Sequence, residues 1–253
     1  MALLTLAGVT KRFGGLTAVD GVGFAVDETT VCGVIGPNGA GKTTLFNLIT
    51  GITRPDEGQI VFGGSNLVGD LPEDIARRGI SRTFQNIRLF RNLSSLENVM
   101  VGAANESGRS LVHQLLTPWR ARERLSKLAS DAASWLDWVG FKGDLKRLPH
   151  ELPYGDQRRI EIARALATKP RLLILDEPTA GMVAKEAHQV IELIHRLKEI
   201  GMTVLLIEHN MNVVMSVSDK VVVLNFGQKL ADGSPQSIRA DARVIEAYLG
   251  TDE

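Results

Sequence analysis

The chain has 253 residues, 44% of them hydrophobic and 23% charged, with 25 Gly and 9 Pro; this is a globular composition, not a disordered, collagenous or low-complexity one. Its 29 Lys and Arg balance 29 Asp and Glu, so no global basic field argues for nucleic acid. The single Cys32 excludes an intrachain disulfide or a cysteine metal cluster, no apolar run approaches the ~18 residues that span a bilayer, and the opening Met1-Ala-Leu-Leu lacks a secretory n-region.

A soluble, cytoplasmic protein is expected, one that reaches any membrane through a partner. The first thirty residues, with Gly14-Gly15 and Gly21, predict an antiparallel β meander. Val31–Ile35 is short, apolar and rich in β-branched residues, as are 172–175, 203–207 and 221–224. Such runs read as strands buried on both faces of a parallel sheet. Helical stretches separate them at 42–49, 157–168 and 185–199, the last with Val190, Ile191, Ile194 and Leu197 on one face. Residues 96–148 differ: a helical pattern without a clear strand, carrying Trp135 and Trp138. This stretch is expected to form an inserted helical lobe. Within it, Arg109, Arg120, Arg122, Arg124 and Lys127 against Glu123 form a basic run, readable as a solvated helix face or as a surface for an acidic partner or lipid head groups.

Chemistry enters between the first predicted parallel strand and the first helix. Gly36, Pro37, Asn38, Gly39, Ala40, Gly41, Lys42 and Thr43 fit G-x-x-x-x-G-K-[ST], and Thr44 follows. The glycines let backbone N–H groups turn inward around phosphate oxygens. The helix N-terminus adds its dipole to the same anions. Lys42 supplies a charge for the β- and γ-phosphates, and Thr43 a hydroxyl for Mg²⁺. Asp176 and Glu177 then end a buried strand, where α/β sheets place ligands. Asp176 suits a metal's water shell, and Glu177 suits polarisation of an attacking water. His209 follows a third strand, where its imidazole could bond a γ-phosphate and that water. The amide of Gln85, in Ser81-Arg-Thr-Phe-Gln85-Asn86, could reach the metal or the water.

With these motifs, Glu151-Leu152-Pro153-Tyr154-Gly155-Asp156-Gln157 resembles the signature of ATP-binding cassette (ABC) proteins. The resemblance covers essentially the whole chain. Arg12-Phe-Gly-Gly-Leu, the stretch from Arg82 to Phe90, Tyr154-Gly-Asp-Gln-Arg-Arg and Val244-Ile-Glu-Ala-Tyr-Leu-Gly look like the larger ATPase subunit of branched-chain amino-acid importers. Urea-importer ATPases are near relatives. The resemblance implies an α/β fold with a RecA-like P-loop NTPase core at 1–95 and 157–253, an antiparallel β subdomain and an inserted helical signature subdomain at 96–156. It implies ATP and Mg²⁺ as ligands, with Phe13, 23 residues before Gly36, stacking on adenine. Leu152 to Gln157 would bind the ATP of an opposite, second ATPase subunit, in a heterodimer. Two membrane permease subunits and, indirectly, a solute-binding protein would complete a transporter at the cytoplasmic face of the inner membrane, with no nucleic acid involved. The rival readings are a cassette protein of DNA repair or translation and a P-loop kinase. The first lacks coiled coils, tandem cassettes and basic charge here; the signature and His209 disfavour the second.

Three departures from the family pattern stand out. Pro153 replaces the usual Ser, Met182-Val183-Ala184 replaces an Asp-bearing turn, and Asn210 stands where Asp is common. Each leaves nucleotide binding intact and bears on the symmetry of an ATPase dimer. Asp156 is expected to help cap the helix after Pro153.

Overall fold

The computed structural model describes residues 1–104 and 118–249. Two long strands, β1 (Ala2–Phe13) and β2 (Leu16–Asp27), pair antiparallel through the Gly14-Gly15 turn. On its other edge β1 pairs antiparallel with β4 (Glu57–Phe62), which pairs with β5 (Ser65–Asn66), giving the order β2-β1-β4-β5. The expected meander is therefore present and gains two strands from beyond residue 30.

The second sheet has the order β10-β9-β3-β8-β7-β6. Its members are β3 (Val31–Ile35), β6 (Ile80–Arg82), β7 (Leu172–Asp176), β8 (Thr203–Ile207), β9 (Lys220–Asn225) and β10 (Gln228–Gly233). All pairs are parallel except β9–β10, a tight hairpin. Alternate side chains point to opposite faces of a strand, and here both faces are dry. On β7, Leu173 and Leu175 join one apolar cluster while Leu172 and Ile174 join the other. On β8, Val204 and Leu206 face away from Leu205 and Ile207 in the same manner. That explains the unbroken apolar runs in the sequence.

One face of this sheet packs on α1 (Lys42–Ile49) and on the antiparallel sheet, with Phe46, Leu4, Val9 and Ile60 in a shared cluster. The short α2 (Pro72–Arg77) adds Ile75 to it. The other face carries α3 (Ser95–Ala104), α4 (Pro118–Trp138), α5 (Tyr154–Ala167), α6 (Ala184–Glu199) and α7 (Met211–Val217), with α8 (Pro235–Ala240) and α9 (Ala242–Leu249) following. On α6 the buried stripe is Val190, Leu193, Ile194 and Leu197, so Leu193 takes the inward place expected of Ile191. Helical spacing at i, i+3, i+4 and i+7 accounts for that choice.

The expected lobe is helical, without strands among its described residues. Its helices α3 and α4 pack on each other and on α5, and Val99, Ala132 and Leu136 share one cluster with Ile160 and Leu173. The Trp135 and Trp138 rings meet edge to face at 5.9 Å, and the Arg196 guanidinium lies 4.6 Å from the Trp138 centroid. Of the basic run, Arg109 and the Arg120 side chain lie outside the described residues, while Arg122, Glu123 and Lys127 are exposed on α4. Helix α5 starts at Tyr154 rather than 157 and runs unbroken past residue 156.

Candidate nucleotide-binding and hydrolysis site

The loop between β3 and α1 is shaped by two glycines whose backbone no other residue could adopt easily. Gly36 (φ +155°) lies against the carbonyl of Leu224, and Gly41 (φ +95°) against that of Ala18, each where a Cβ would collide. Gly41 is the N-cap of α1 with no side-chain cap bond, so the first N–H groups of the helix point into the loop. Lys42 reaches back over it: Nζ donates to the carbonyls of Gly36 (2.7 Å) and Pro37 (2.9 Å). Burial lowers the Lys42 ammonium from its ordinary value, and the charge of Glu177 opposes that shift. A cleft of about 530 Å³ opens on this loop, lined among others by Thr17, Asn38, Lys42, Thr43, Gln85 and Glu177. Gly39, Ala40, Gly41 and Thr44 also face it, while Pro37 lines the neighbouring cleft beside Asn225 and Phe226.

Parallel pairing of β6, β7 and β8 sets Glu177 on the lining of this cleft, while the buried Asp176 is not among its lining residues. Glu177 follows β7 with φ +46°, its N–H bonded to Ile207 O of the next strand at 3.0 Å. Its Oε2 accepts from Gln85 Nε2 at 2.8 Å and lies 3.7 Å from His209 Nδ1. Two residues, 92 and 32 positions from Glu177, thus converge on one of its carboxylate oxygens. Asp176 is held differently. Arg82 Nη2 donates to its Oδ2 at 2.6 Å, with both side chains nearly buried at 5% and 7% exposure. Arg82 Nη1 also donates to Asn47 Oδ1 at 2.8 Å, tying α1 to the same carboxylate. Sequence reasoning missed Arg82, because its partner lies 94 positions away and only the pairing of β6 with β7 brings them together.

A second missed residue is Glu208, buried beside His209. Its Oε1 accepts from both the N–H (2.9 Å) and the hydroxyl (2.5 Å) of Thr179, so the turn after Glu177 is pinned to the end of β8. Phe13 is half-exposed at the end of β1, under the Lys11 ammonium, and the residues that follow its turn, Leu16 to Ala18, line the cleft.

Leu152 to Gln157 lie away from this cleft, among none of its lining residues. Leu152 is buried in the helical cluster and Tyr154 is 40% exposed. Pro153 (φ −55°, ψ 151°) is the N-cap of α5, and the helix begins there because Pro fixes φ and lacks the N–H that an N-terminus would leave unpaired. Gly155, the second residue of α5, lies beside Glu186, and Gln157 Nε2 donates to Leu152 O at 2.9 Å. Asp156 does not cap the helix as expected: its Oδ1 accepts from Arg159 Nη1 at 2.9 Å, one turn on. Asn210 does cap, accepting from Asn212 N at 3.1 Å at the start of α7. Val183 is the exposed N-cap of α6, and its N–H donates to Glu186 Oε2 at 3.4 Å.

Comparison with known proteins identifies the family and the fold. Residues 19–180 match the family model for the ABC transporter, and residues 228–253 that of a branched-chain amino acid ATP-binding cassette transporter. The chain is 45% identical to the high-affinity branched-chain amino acid transport ATP-binding protein BraF of Pseudomonas aeruginosa, across 98% of each chain. It is 43% identical to the protein LivG of the same description from Escherichia coli, again across 98% of each. A crystal structure of a nucleotide-free ATP-binding cassette from an ABC transporter superposes with a TM-score of 0.85 at 33% identity, covering 98% of this chain and 99% of that one. With P-loop, strand-end carboxylates and cassette fold in one chain, the protein belongs to the ABC transporter family, as one of its ATP-hydrolysing cassettes.

Proposed function

We propose that this chain energises the import of branched-chain amino acids, binding Mg²⁺-ATP in the cleft over Lys42 and hydrolysing it at Glu177. The observation that carries the hydrolytic assignment is the convergence of Gln85 and His209 on Glu177 Oε2 at the cleft mouth. A carboxylate fixed there by an amide can orient a water in line with a terminal phosphate, and His209 can bond the phosphate oxygen beside it. The loop N–H groups, Lys42 and Thr44 hold the phosphates, and Phe13 stacks on adenine. Mg²⁺ fits the donors present. Thr43 offers a hydroxyl at the start of α1, Gln85 an amide oxygen, and Asp176 a carboxylate whose other oxygen is engaged by Arg82. These are hard oxygen donors of few charges, as Mg²⁺ prefers when it shares phosphate and water ligands. The metal when bound would neutralise charge on the phosphates.

The remaining assignments follow the family. The chain divides into a nucleotide-binding core at 1–95 and 157–253 and a helical signature subdomain at 96–156. Leu152 to Gln157 serve the ATP held by a second, different ATPase subunit. Two permease subunits seat this chain on the cytoplasmic face of the inner membrane, with a solute-binding protein beyond them and no nucleic acid. Supporting that docking, a groove of about 710 Å³ runs between α2, β6 and α5, lined by Ile52, Phe84, Arg88, Phe90, Val101 and Arg164. Phe90 and Val101 are 50% and 41% exposed there. Among the described residues no helix is long and apolar enough to cross a membrane, so the permeases would supply the span. The test is to purify whatever membrane proteins the chain brings with it, reconstitute them, and assay ATP-driven uptake of leucine, isoleucine, valine and urea. Uptake confined to urea would overturn the solute, and recovery of RNA or DNA in place of permeases would overturn the transport reading.

A further inference from the structure

Arg158, one turn into α5, is fully buried, with 0% of its side chain exposed. Its guanidinium joins four groups. Nη1 donates to Phe84 O and to Glu161 Oε2, both at 2.7 Å. Nη2 donates to Gln85 O at 2.9 Å and to the Tyr154 hydroxyl at 3.1 Å. Glu161, 1% exposed, returns the contact through Oε1, which accepts from the N–H groups of Phe84 (3.4 Å) and Arg88 (3.3 Å). A buried ion pair is an expensive way to fill a core, and an apolar pair of similar volume would pack as well or better. Nε of Arg158 is even left without a partner. Stability alone therefore gives no reason for this pair. Its contacts do: they fix both carbonyls of the Phe84–Gln85 backbone, which presents the Gln85 amide to Glu177, to the first turn of the helix that carries Tyr154 and Gly155.

We propose that Arg158 is a positioning residue that holds the Gln85 loop in register with Glu177 and couples that loop to the exposed start of α5. One side chain would then align this subunit's own hydrolysis site and the contact it offers to the ATP of its neighbour. The proposal rests on the roles given above to Gln85, Glu177 and the 152–157 segment. The coupling depends on the planar fork of Arg, whose donors are fixed in divergent directions; Lys has three donors on one nitrogen and cannot span two carbonyls, a carboxylate and a phenol.

The test uses the full chain with Mg²⁺-ATP and three measurements: affinity from a fluorescent ATP analogue, amide hydrogen exchange at 83–88 and 153–158, and turnover of the complex that co-purifies with the chain. In the unmodified chain, nucleotide is expected to slow exchange in both segments. Arg158→Lys should bind nucleotide within about threefold of the unmodified chain, lose the nucleotide-dependent protection at 153–158, and turn over at least tenfold slower. A second variant separates positioning from folding. Arg158→Gln with Glu161→Gln removes both buried charges, so its melting temperature should recover relative to Arg158→Gln alone while turnover stays low. Turnover that recovers with the melting temperature, or an Arg158→Lys chain with unaltered protection and turnover, would overturn the proposal alone. Failure of the unmodified chain to bind Mg²⁺-ATP would overturn the underlying functional reading, and the proposal with it.

Discussion

Glu177 and Phe226 share a backbone oddity, φ +46°, and both line the nucleotide cleft. A left-handed backbone costs an L-residue roughly 1–2 kcal/mol. At Glu177 that conformation lets the N–H reach Ile207 O while the carboxylate faces Gln85. Replacing Glu177 by Gln keeps shape and conformation but removes the charge that orients water. Nucleotide affinity should be retained while turnover falls about a hundredfold or more, a barrier change of about 2.7 kcal/mol; turnover within threefold of the unmodified protein would show that Glu177 is not the base. Phe226 is 86% exposed and precedes Gly227 (φ +78°) in the two-residue turn between β9 and β10. Turns with both central residues left-handed favour Asn-Gly, whose first side chain tolerates this conformation. Phe226→Asn should therefore stabilise the protein by about 0.5–1 kcal/mol, raising the melting temperature by about 1–4 °C. A lower melting temperature would mean that the ring contributes packing that its exposure does not suggest.

At the scale of elements, the sequence shows what is local and hides what is closed by distance. Val31–Ile35 and Lys42–Ile49 were legible because a buried strand, a phosphate loop and a helix follow one another within twenty residues. The start of α5 lies three residues before the expected one because the signature reads as a loop motif, while Pro153 and the N–H groups that follow it make it a helix terminus. The arginines of 77–91 illustrate the other limit. No acid lies within that stretch, yet Arg77 pairs with Asp74 at 2.6 Å, Arg78 with Asp70 at 2.8 Å and Arg82 with Asp176. That leaves Arg88, stacked 4.3 Å from the Phe84 centroid at the groove, and Arg91 as the candidates for a permease loop. Reversing both to Glu should weaken assembly with the permeases while the isolated chain keeps its nucleotide affinity and melting temperature. If affinity and melting temperature fall together, these two arginines hold the fold and not a partner.

For the whole molecule, the exposed start of α5 bears on which second subunit can face it. The N–H groups of Tyr154 and Gly155, at the positive end of a 14-residue helix, remain available for an anion. Pro153 supplies neither a hydroxyl nor an N–H there. On the function proposed above, a signature Ser hydroxyl and nearby backbone N–H groups donate to the γ-phosphate of the opposite subunit, so each copy of this chain would offer an incomplete clamp. One absent charge-assisted hydrogen bond costs roughly 1.5–3 kcal/mol, and a homodimer would lose it twice. It would also lack the acidic turn contacts on both sides, since Val183 and Ala184 occupy those positions at the start of α6. A different ATPase subunit with a Ser-bearing signature would instead complete the site over this chain's own Lys42 and Glu177. The protein alone should therefore stay monomeric with ATP, even as Glu177→Gln, and should dimerise with its cognate second ATPase. Pro153→Ser should strengthen self-association, because Ser restores both donors and is itself a good N-cap for α5. Sedimentation at micromolar concentration with Mg²⁺-ATP decides the matter: a tight homodimer of the unmodified Pro153 chain would show that the helix dipole and the two remaining N–H groups suffice, and that the asymmetry argued from Pro153 is absent.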